Sequence, residues 1–245
     1  MVAMRAIVTA CLSGLALFWA HLVTPGHAHA SVPTLPPTAV VYRVPVAAKV
    51  AALTFDDGPN PSFTPEILRI LDRYQAKATF FMIGSQVDRY PALAREVALH
   101  GHAIGNHTYT HSPTLSRDDI QQVASEIARC EQSIERVTGV RPKLFRPPRG
   151  LLDPAVLRAV SEGGYRTVMW SISADHHDAP TPALMAQRVL RVARPGMIIL
   201  LHDGYLPSRW KDVIATEIIV RALRREGYRF VTIPELLEME SRARL

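Results

Sequence analysis

Five short polar clusters hold the residue types that could do chemistry in this 245-residue chain. Asp56 and Asp57 are adjacent and run into the turn Gly58-Pro59. His107 and His111 stand four positions apart, so on a helical turn both imidazoles project from one face. With Asp57 they make a two-His, one-carboxylate set, which suits Zn²⁺ or another first-row divalent ion with open positions, Co²⁺ included. If Asp57 is a ligand, Asp56 is free to take a proton from a metal-bound water that the ion has acidified. Either feature alone has a plainer explanation, a hydrogen-bonded histidine pair or a turn-forming aspartate. Arg146 precedes Pro147-Pro148, whose rigidity sets the direction of the loop. In a cleft it pairs with Asp56 and favours the charged carboxylate; on the surface such a pair contributes little. His202 follows the apolar run Ile198–Leu201, so its ring is expected to enter a cleft and protonate a leaving group. Without the other clusters, a satisfied core histidine is the better reading. Asp175 completes the set.

These residues need elements to position them. Apolar runs suited to buried strands fall at Val50–Thr54, Ala78–Ile83, Ala103–Gly105, Lys143–Arg146, Tyr165–Ser171, Met197–Leu201 and Arg229–Thr232. Between them lie amphipathic helical stretches: one opening at Thr64-Pro65, then Pro91–His100, and Ile120 to Val137 with Ser116 and Asp119 as a capping box. Further helices follow Pro154, span Pro182–Ala193 and Asp212–Glu226, and open at Pro234. Strands alternating with helices imply a parallel sheet covered by helices, in an α/β fold of about seven strands. A (β/α) barrel and a doubly wound open sheet compete. The clusters follow the first, third, fourth, fifth and sixth strands, where the loops of a barrel share one face, and this favours the barrel.

Composition bounds the class. Hydrophobic residues make up 48% and charged residues 20%, enough for a sizeable core and too apolar for a disordered chain. Two cysteines exclude a disulfide scaffold. Arg5, the apolar run Ala6–Ala20 and Ala28-His29-Ala30 read as a secretory signal over 1–30, cleaved near Ala30, with an uncleaved anchor as the competing reading. Cleavage removes Cys11 and leaves Cys130 on an apolar helix face as a buried, inert thiol. Residues 31–49 form a Pro-rich lead-in, and 50–245 form the folded domain. The net charge of +6, or +5 without Arg5, suggests a basic surface and does not choose between nucleic acid, an anionic wall polymer and a membrane. Charge alone is the only argument for nucleic acid.

In order and spacing, four motifs resemble those of the polysaccharide deacetylases, also called carbohydrate esterase family four or the chitooligosaccharide deacetylase-like domain. They are Thr54-Phe55-Asp56-Asp57-Gly58-Pro59, His107-x₃-His111, Arg146-Pro147-Pro148-x-Gly150 and Leu200-Leu201-His202-Asp203-Gly204. The resemblance runs from about Val50 to the C-terminal helix. It implies a distorted (β/α) barrel and metal-dependent removal of N- or O-acetyl groups from a glycan. By position, Asp57, His107 and His111 would bind the metal, usually zinc in that family. Asp56 would be the general base and Arg146 its partner, while His202 would protonate the departing amine. Leu200 would line the pocket for the acetyl methyl, and the backbone N–H of Arg149 would help to stabilise the oxyanion.

Three departures stand out. The family often has an aromatic where Arg149 stands and Pro where Ser112 stands. Its D-x-x-D-W motif, which supplies an aspartate that tunes the catalytic histidine, has lost its Trp. Counting from Trp170 selects Ser173, whereas matching D-x-x-D selects Asp175 and Asp178. Asp175 is the favoured choice, with His176 and His177 as loop residues. The expectation is a secreted, monomeric deacetylase of N-acetylated glycan, peptidoglycan or a chitin-like oligomer. It would bind no nucleic acid and meet membrane only through its signal segment. The rival readings are an O-acetyl esterase on acetylated xylan and a catalytically weakened glycan-binding module.

Overall fold

The computed structural model describes residues 40–115, 119–175 and 178–243. The signal expected over 1–30, Ser116 and the pair His176-His177 lie outside these residues. Described elements follow one another as β1 (Val50–Asp56), α1 (Thr64–Arg73), β2 (Ala78–Met82), α2 (Gly84–Arg89), α3 (Pro91–Leu99) and β3 (Ala103–Asn106). Next come α4 (Ile120–Thr138), β4 (Leu144–Phe145), α5 (Pro154–Glu162), β5 (Arg166–Thr167), β6 (Ile172–Ser173) and α6 (Pro182–Leu190). The chain ends with β7 (Met197–His202), α7 (Trp210–Arg225), β8 (Arg229–Phe230) and α8 (Ile233–Ala243).

All named strand pairs are parallel, and the sheet runs β5-β4-β3-β2-β1-β7-β6, with β8 beside the start of β1. Chain order is kept around this curled sheet, as in a barrel, instead of reversing at a switch point as in a doubly wound sheet. Of the fifth strand expected over Tyr165–Ser171 only β5 forms, and β6 follows just beyond it at the opposite edge. The backbone between them pairs elsewhere: Val41 N–H donates to Thr167 O at 2.9 Å, and Met169 N–H to Val41 O at 2.7 Å. Val44 N–H donates to Gly196 O at 3.0 Å. The last residues of the Pro-rich lead-in thus span the gap between the sheet edges, with Val41 and Val44 buried.

Strand alternation builds two cores. On β1, Ala51, Leu53 and Phe55 pack outward under the helices, with Met197, Ile199 and Leu201 of β7. Val50 and Ala52 turn inward, where Ile198, Phe81, Leu144 and Val168 fill the barrel and Ile233 and Leu236 of α8 join them. Further up the same inward rows stand Thr54 and Asp56 on β1, and Leu200 and His202 on β7. An apolar barrel floor therefore becomes a polar mouth within two residues of strand. The outer core holds Cys130, whose Sγ lies 3.4 Å from Met82 O and whose thiol burial pushes up to about 12. It is an inert thiol.

Local signals set the ends of α4, α5 and α6, whereas α1 begins after Phe63 with no side-chain cap, so Thr64 is its first residue and not its cap. Asp119 caps α4, accepting from Gln122 N–H at 2.8 Å, while the Gln122 side chain accepts from Asp119 N–H at 3.1 Å. The capping box of α4 is therefore Asp119 with Gln122. Gly139 ends α4 in the left-handed conformation. Asp153 and Thr181 cap α5 and α6, each with Pro at the start of the helix. Among the described residues no helix is long and apolar enough to cross a membrane.

Candidate active site

Asp56 ends β1, and Asp57 follows it with φ 74°, a left-handed conformation that costs a residue with a Cβ about 1 kcal/mol or more. The turn is tight on both sides. A Cβ on Gly58 would meet the Asp203 carboxylate at 2.3 Å, and one on Gly204 would meet Asp57 Cβ at 2.3 Å. Only glycine lets the loops after β1 and β7 approach so closely. The two carboxylates consequently point to different partners.

Asp56 faces Arg146. The Arg146 guanidinium is fully buried and donates from Nη1 to Asp56 Oδ1 at 2.7 Å and to Thr54 Oγ1 at 2.8 Å. Its Nε and Nη2 donate to the carbonyls of Val168 and Met169, both at 2.9 Å, and its centre lies 4.1 Å from the Phe81 ring centroid. A buried charge is tolerable only with such complete pairing. Arg146 thus fixes one oxygen of Asp56 and leaves Oδ2 toward the cleft, 3.8 Å from His107 Nε2.

Asp57 faces the histidines. Its Oδ1 lies 3.5 Å from His107 Nε2 and 3.2 Å from His111 Nε2. Burial raises the Asp57 pKa, but the hydrogen bond and charge of His107, with the charges of His202 and His111, hold it well below the usual carboxylate range. The imidazoles do not share a helical turn, as the four-residue spacing led us to expect. They sit in an irregular loop after β3, with Thr108 at φ 67° and His111 at φ 56°. Long-range bonds hold that loop: the Glu126 carboxylate of α4 accepts from Tyr109 and Thr110 N–H, and Thr108 Oγ1 accepts from His111 N–H at 3.1 Å. His107 Nδ1 lies 2.7 Å from Arg146 O, to which it donates, so Nε2 is the nitrogen turned toward Asp57. One ligand atom from each of Asp57, His107 and His111 falls within 4.8 Å of the others. This donor set fits a small divalent ion, with two neutral nitrogens, one carboxylate and a carbonyl behind one ring.

Across the cleft, His202 Nδ1 lies 3.2 Å from Asp175 Oδ2, an ion-pair contact not aligned as a hydrogen bond. Burial lowers the His202 pKa, Asp175 raises it, Arg209 opposes Asp175, and the net effect is an imidazole that keeps its proton above the ordinary range. Ser173 Oγ donates to Asp175 Oδ1 at 2.9 Å, and Asp178 is paired with Arg188. Of the three candidates near strand five, Asp175 is the one that meets His202. Two further residues were absent from the sequence reading. Arg209 pairs with Asp175 and lies 3.6 Å from Asp212, and the buried Asp212 carboxylate accepts from His202 N–H at 3.0 Å. Burial, opposed by Arg209, pushes Asp212 up to about 6.

A cleft of about 410 Å³ joins these groups. Asp56, Asp57, His107, His111, Arg149, Asp175, Leu200 and His202 all line it, with Trp170, Tyr205 and Arg209, while Arg146 lies beneath. Leu200 is nearly buried at its floor, and Arg149 is exposed at φ 58°.

Comparison with known proteins gives a consistent answer. Residues 43–168, which include both aspartates, both histidines and Arg146, match the family model described as polysaccharide deacetylase. A peptidoglycan-N-acetylglucosamine deacetylase of Bacillus cereus is 42% identical over 200 residues, spanning 81% of this chain and 92% of the relative. A chitooligosaccharide deacetylase of Azorhizobium caulinodans is 37% identical over 195 residues, spanning 74% and 91%. The crystal structure of a peptidoglycan N-acetylglucosamine deacetylase superposes with a TM-score of 0.77 at 34% identity, covering 81% of this chain and 92% of that one. A family-four pseudoenzyme from Bacillus anthracis also superposes, with a TM-score of 0.75 at 28% identity, covering 83% and 70%. Barrel, motifs and relatives agree: this chain belongs to the polysaccharide deacetylase family.

Proposed function

We propose that this protein hydrolyses N-acetyl groups of a glycan outside the cytoplasmic membrane, after loss of residues 1–30, with a divalent ion held by Asp57, His107 and His111. The observation that carries the reading is the division of labour between neighbouring aspartates. Asp57 is turned to two imidazole nitrogens, while Asp56 keeps one oxygen on Arg146 and the other toward the cleft. A bound divalent ion supplies a Lewis acid that polarises the acetyl carbonyl and acidifies water; the donor set suits Zn²⁺ best, with Co²⁺ as an alternative.

The chain's own groups do the rest. Asp56 takes the proton of the attacking water as the new C–O bond forms. The backbone N–H of Arg149 faces the developing oxyanion, and Leu200 packs against the acetyl methyl. His202 then donates its proton to the sugar nitrogen, the C–N bond breaks, and acetate and a free amine leave. An amide nitrogen departs only when protonated, so an imidazolium opposite the base favours amide over ester substrates. Asp175 orients that imidazole and stabilises its charged form. The weakened-module reading has less support, because every one of these side chains is present and meets its partner.

The decisive experiment measures acetate release from N-acetylglucosamine oligomers and from acetylated xylan, for wild type and Asp56→Asn. Activity on the oligomers should vanish with chelation and return with zinc, and Asp56→Asn should lose about 100-fold or more while staying folded. Release from xylan alone, or a near wild-type Asp56→Asn, overturns the proposal.

A further inference from the structure

Of the three donors proposed for the metal, two are held by the strands that carry them. Asp57 directly follows β1. His107 directly follows β3, its N–H donating to Met82 O at 3.0 Å and its Nδ1 to Arg146 O at 2.7 Å. His111 lies four residues farther out and is half-buried, and its ring meets Asp57 and the His107 ring, whose centroid is 5.0 Å away. Its place therefore depends on residues 108–110. That stretch is strained, with Thr108 at φ 67° and His111 itself at φ 56°, where residues with a Cβ are uncommon.

Two helices clasp it. From α2, Gly84 N–H donates to Thr108 O and Ser85 N–H to Tyr109 O, both at 3.0 Å, and Asp88 accepts from the Tyr109 hydroxyl at 3.1 Å. From α4, one oxygen of Glu126 accepts three bonds: Tyr109 N–H at 3.1 Å, Thr110 N–H at 2.7 Å and the Thr110 hydroxyl at 2.9 Å. Bonds to a charged acceptor are about twice as strong as neutral ones. Arg129, one turn along α4, lies 3.9 Å from the Tyr109 ring centroid and 3.7 Å from the other Glu126 oxygen. Glu126 does little for α4 itself. That helix is held by its buried face, Val123, Ile127, Cys130, Ile134 and Val137, and by its caps at Asp119 and Gly139. All three hydrogen bonds of the carboxylate go instead to the two residues that precede His111.

Resting on the metal-dependent reading above, we propose that Glu126 is a positioning residue for the metal centre. By gripping Tyr109 and Thr110 it presents the His111 imidazole before the ion arrives, and so sets how tightly the ion is held. Without that grip the ion itself must order the loop, and the ordering is subtracted from its affinity. Glu126 is not among the groups that line the cleft, so it acts through His111 and not on substrate.

The test uses full-length protein as wild type, Glu126→Ala, Glu126→Gln and Glu135→Ala, the last removing the same charge from an exposed position of the same helix. Competition with a chromophoric chelator gives the zinc dissociation constants, and the visible absorption of the Co²⁺-loaded proteins reports the ligand geometry. Circular dichroism of the metal-free proteins checks the fold. Glu126→Ala should weaken zinc binding by about 10- to 100-fold, the scale of a group that supports a metal ligand, and alter the Co²⁺ spectrum. Glu126→Gln keeps a neutral acceptor and should recover part of the affinity; it also carries the test if the alanine variant does not fold. Glu135→Ala should bind zinc like wild type. Wild-type affinity and spectrum in both Glu126 variants, or an equal loss in Glu135→Ala, overturns the inference. A wild type that binds neither ion would sink the metal reading itself, and this inference with it.

Discussion

At the scale of residues, the site works by giving chemically identical groups different neighbours. Asp56 and Asp57 differ by one position, yet Arg146 pairs with Asp56 and His111 with Asp57, while His107 lies near both. Asp175 and Asp212 both touch Arg209, yet burial leaves Asp212 near 6, while His202 and Arg209 overcome burial and hold Asp175 low. The charge on Asp175 has a direct consequence for the proton donor. His202 has a raised pKa, so its imidazolium persists as pH rises past the ordinary histidine range, and activity should fall only above that raised value. Asp175→Asn removes the attraction and leaves the repulsion from Arg209, so the imidazolium is lost at lower pH. The alkaline limb of the kcat/KM profile should therefore move down, with a lower maximum. An unmoved limb would show that the alkaline fall does not report His202.

At the scale of elements, strand alternation explains why chemistry appears at one end of the barrel, and the gap between the outer strands explains the role of the N-terminal segment. Residues 41–44 lie against Val168 and Met197, and Gly196 approaches so closely that a Cβ there would meet Val44 O at 1.7 Å. Val44→Ala should cost about 2 kcal/mol in urea unfolding, the burial of a valine side chain. Exposed Tyr42→Ala should cost under about 0.5 kcal/mol. Equal effects would mean that the segment does not seal the barrel. These elements also mark what the sequence could and could not show. The strands with long apolar runs, β1, β2 and β7, and the polar residues closing them were legible from period and motif. The division of strand five was not, because Val168–Ser171 is as apolar as a strand and finds its partner at Val41, more than a hundred residues away. The six-residue α2 buries only Gly84 and Val87 and is too short to show a helical apolar period. Arg209 was hidden by its place in the short 3-10 turn before α7, where nothing local reveals that it folds back onto Asp175. The two histidines were found by spacing, but for the wrong local reason. Their convergence depends on Glu126 of α4, which no four-residue pattern contains.

At the scale of the whole molecule, the fold concentrates its costs at one mouth. Asp57, Thr108, His111 and Arg149 all adopt left-handed backbone there, each at a cost of about 1 kcal/mol or more. Asp56, Asp57 and Asp203 bring three carboxyl groups to the ends of two adjacent strands. Burial and the charges of Asp57 and Asp56, against a hydrogen bond from Thr64, push Asp203 up to about 7. The large apolar cores elsewhere must offset this, so the mouth is the region where a cation has most to give. An ion that binds only the folded state stabilises it by about 2.7 kcal/mol at a hundred times its dissociation constant. Zinc should accordingly raise Tm in a concentration-dependent way, and chelation should reverse the rise. Removing one imidazole by His111→Ala should abolish most of the increment and change the metal-free Tm little, because His111 is half-buried and its ring meets Asp57 and His107 at the mouth, outside the apolar cores. Calorimetric scans of both proteins with and without zinc check this directly. An equal zinc increment in His111→Ala would place the stabilising ion somewhere other than between Asp57 and the two histidines.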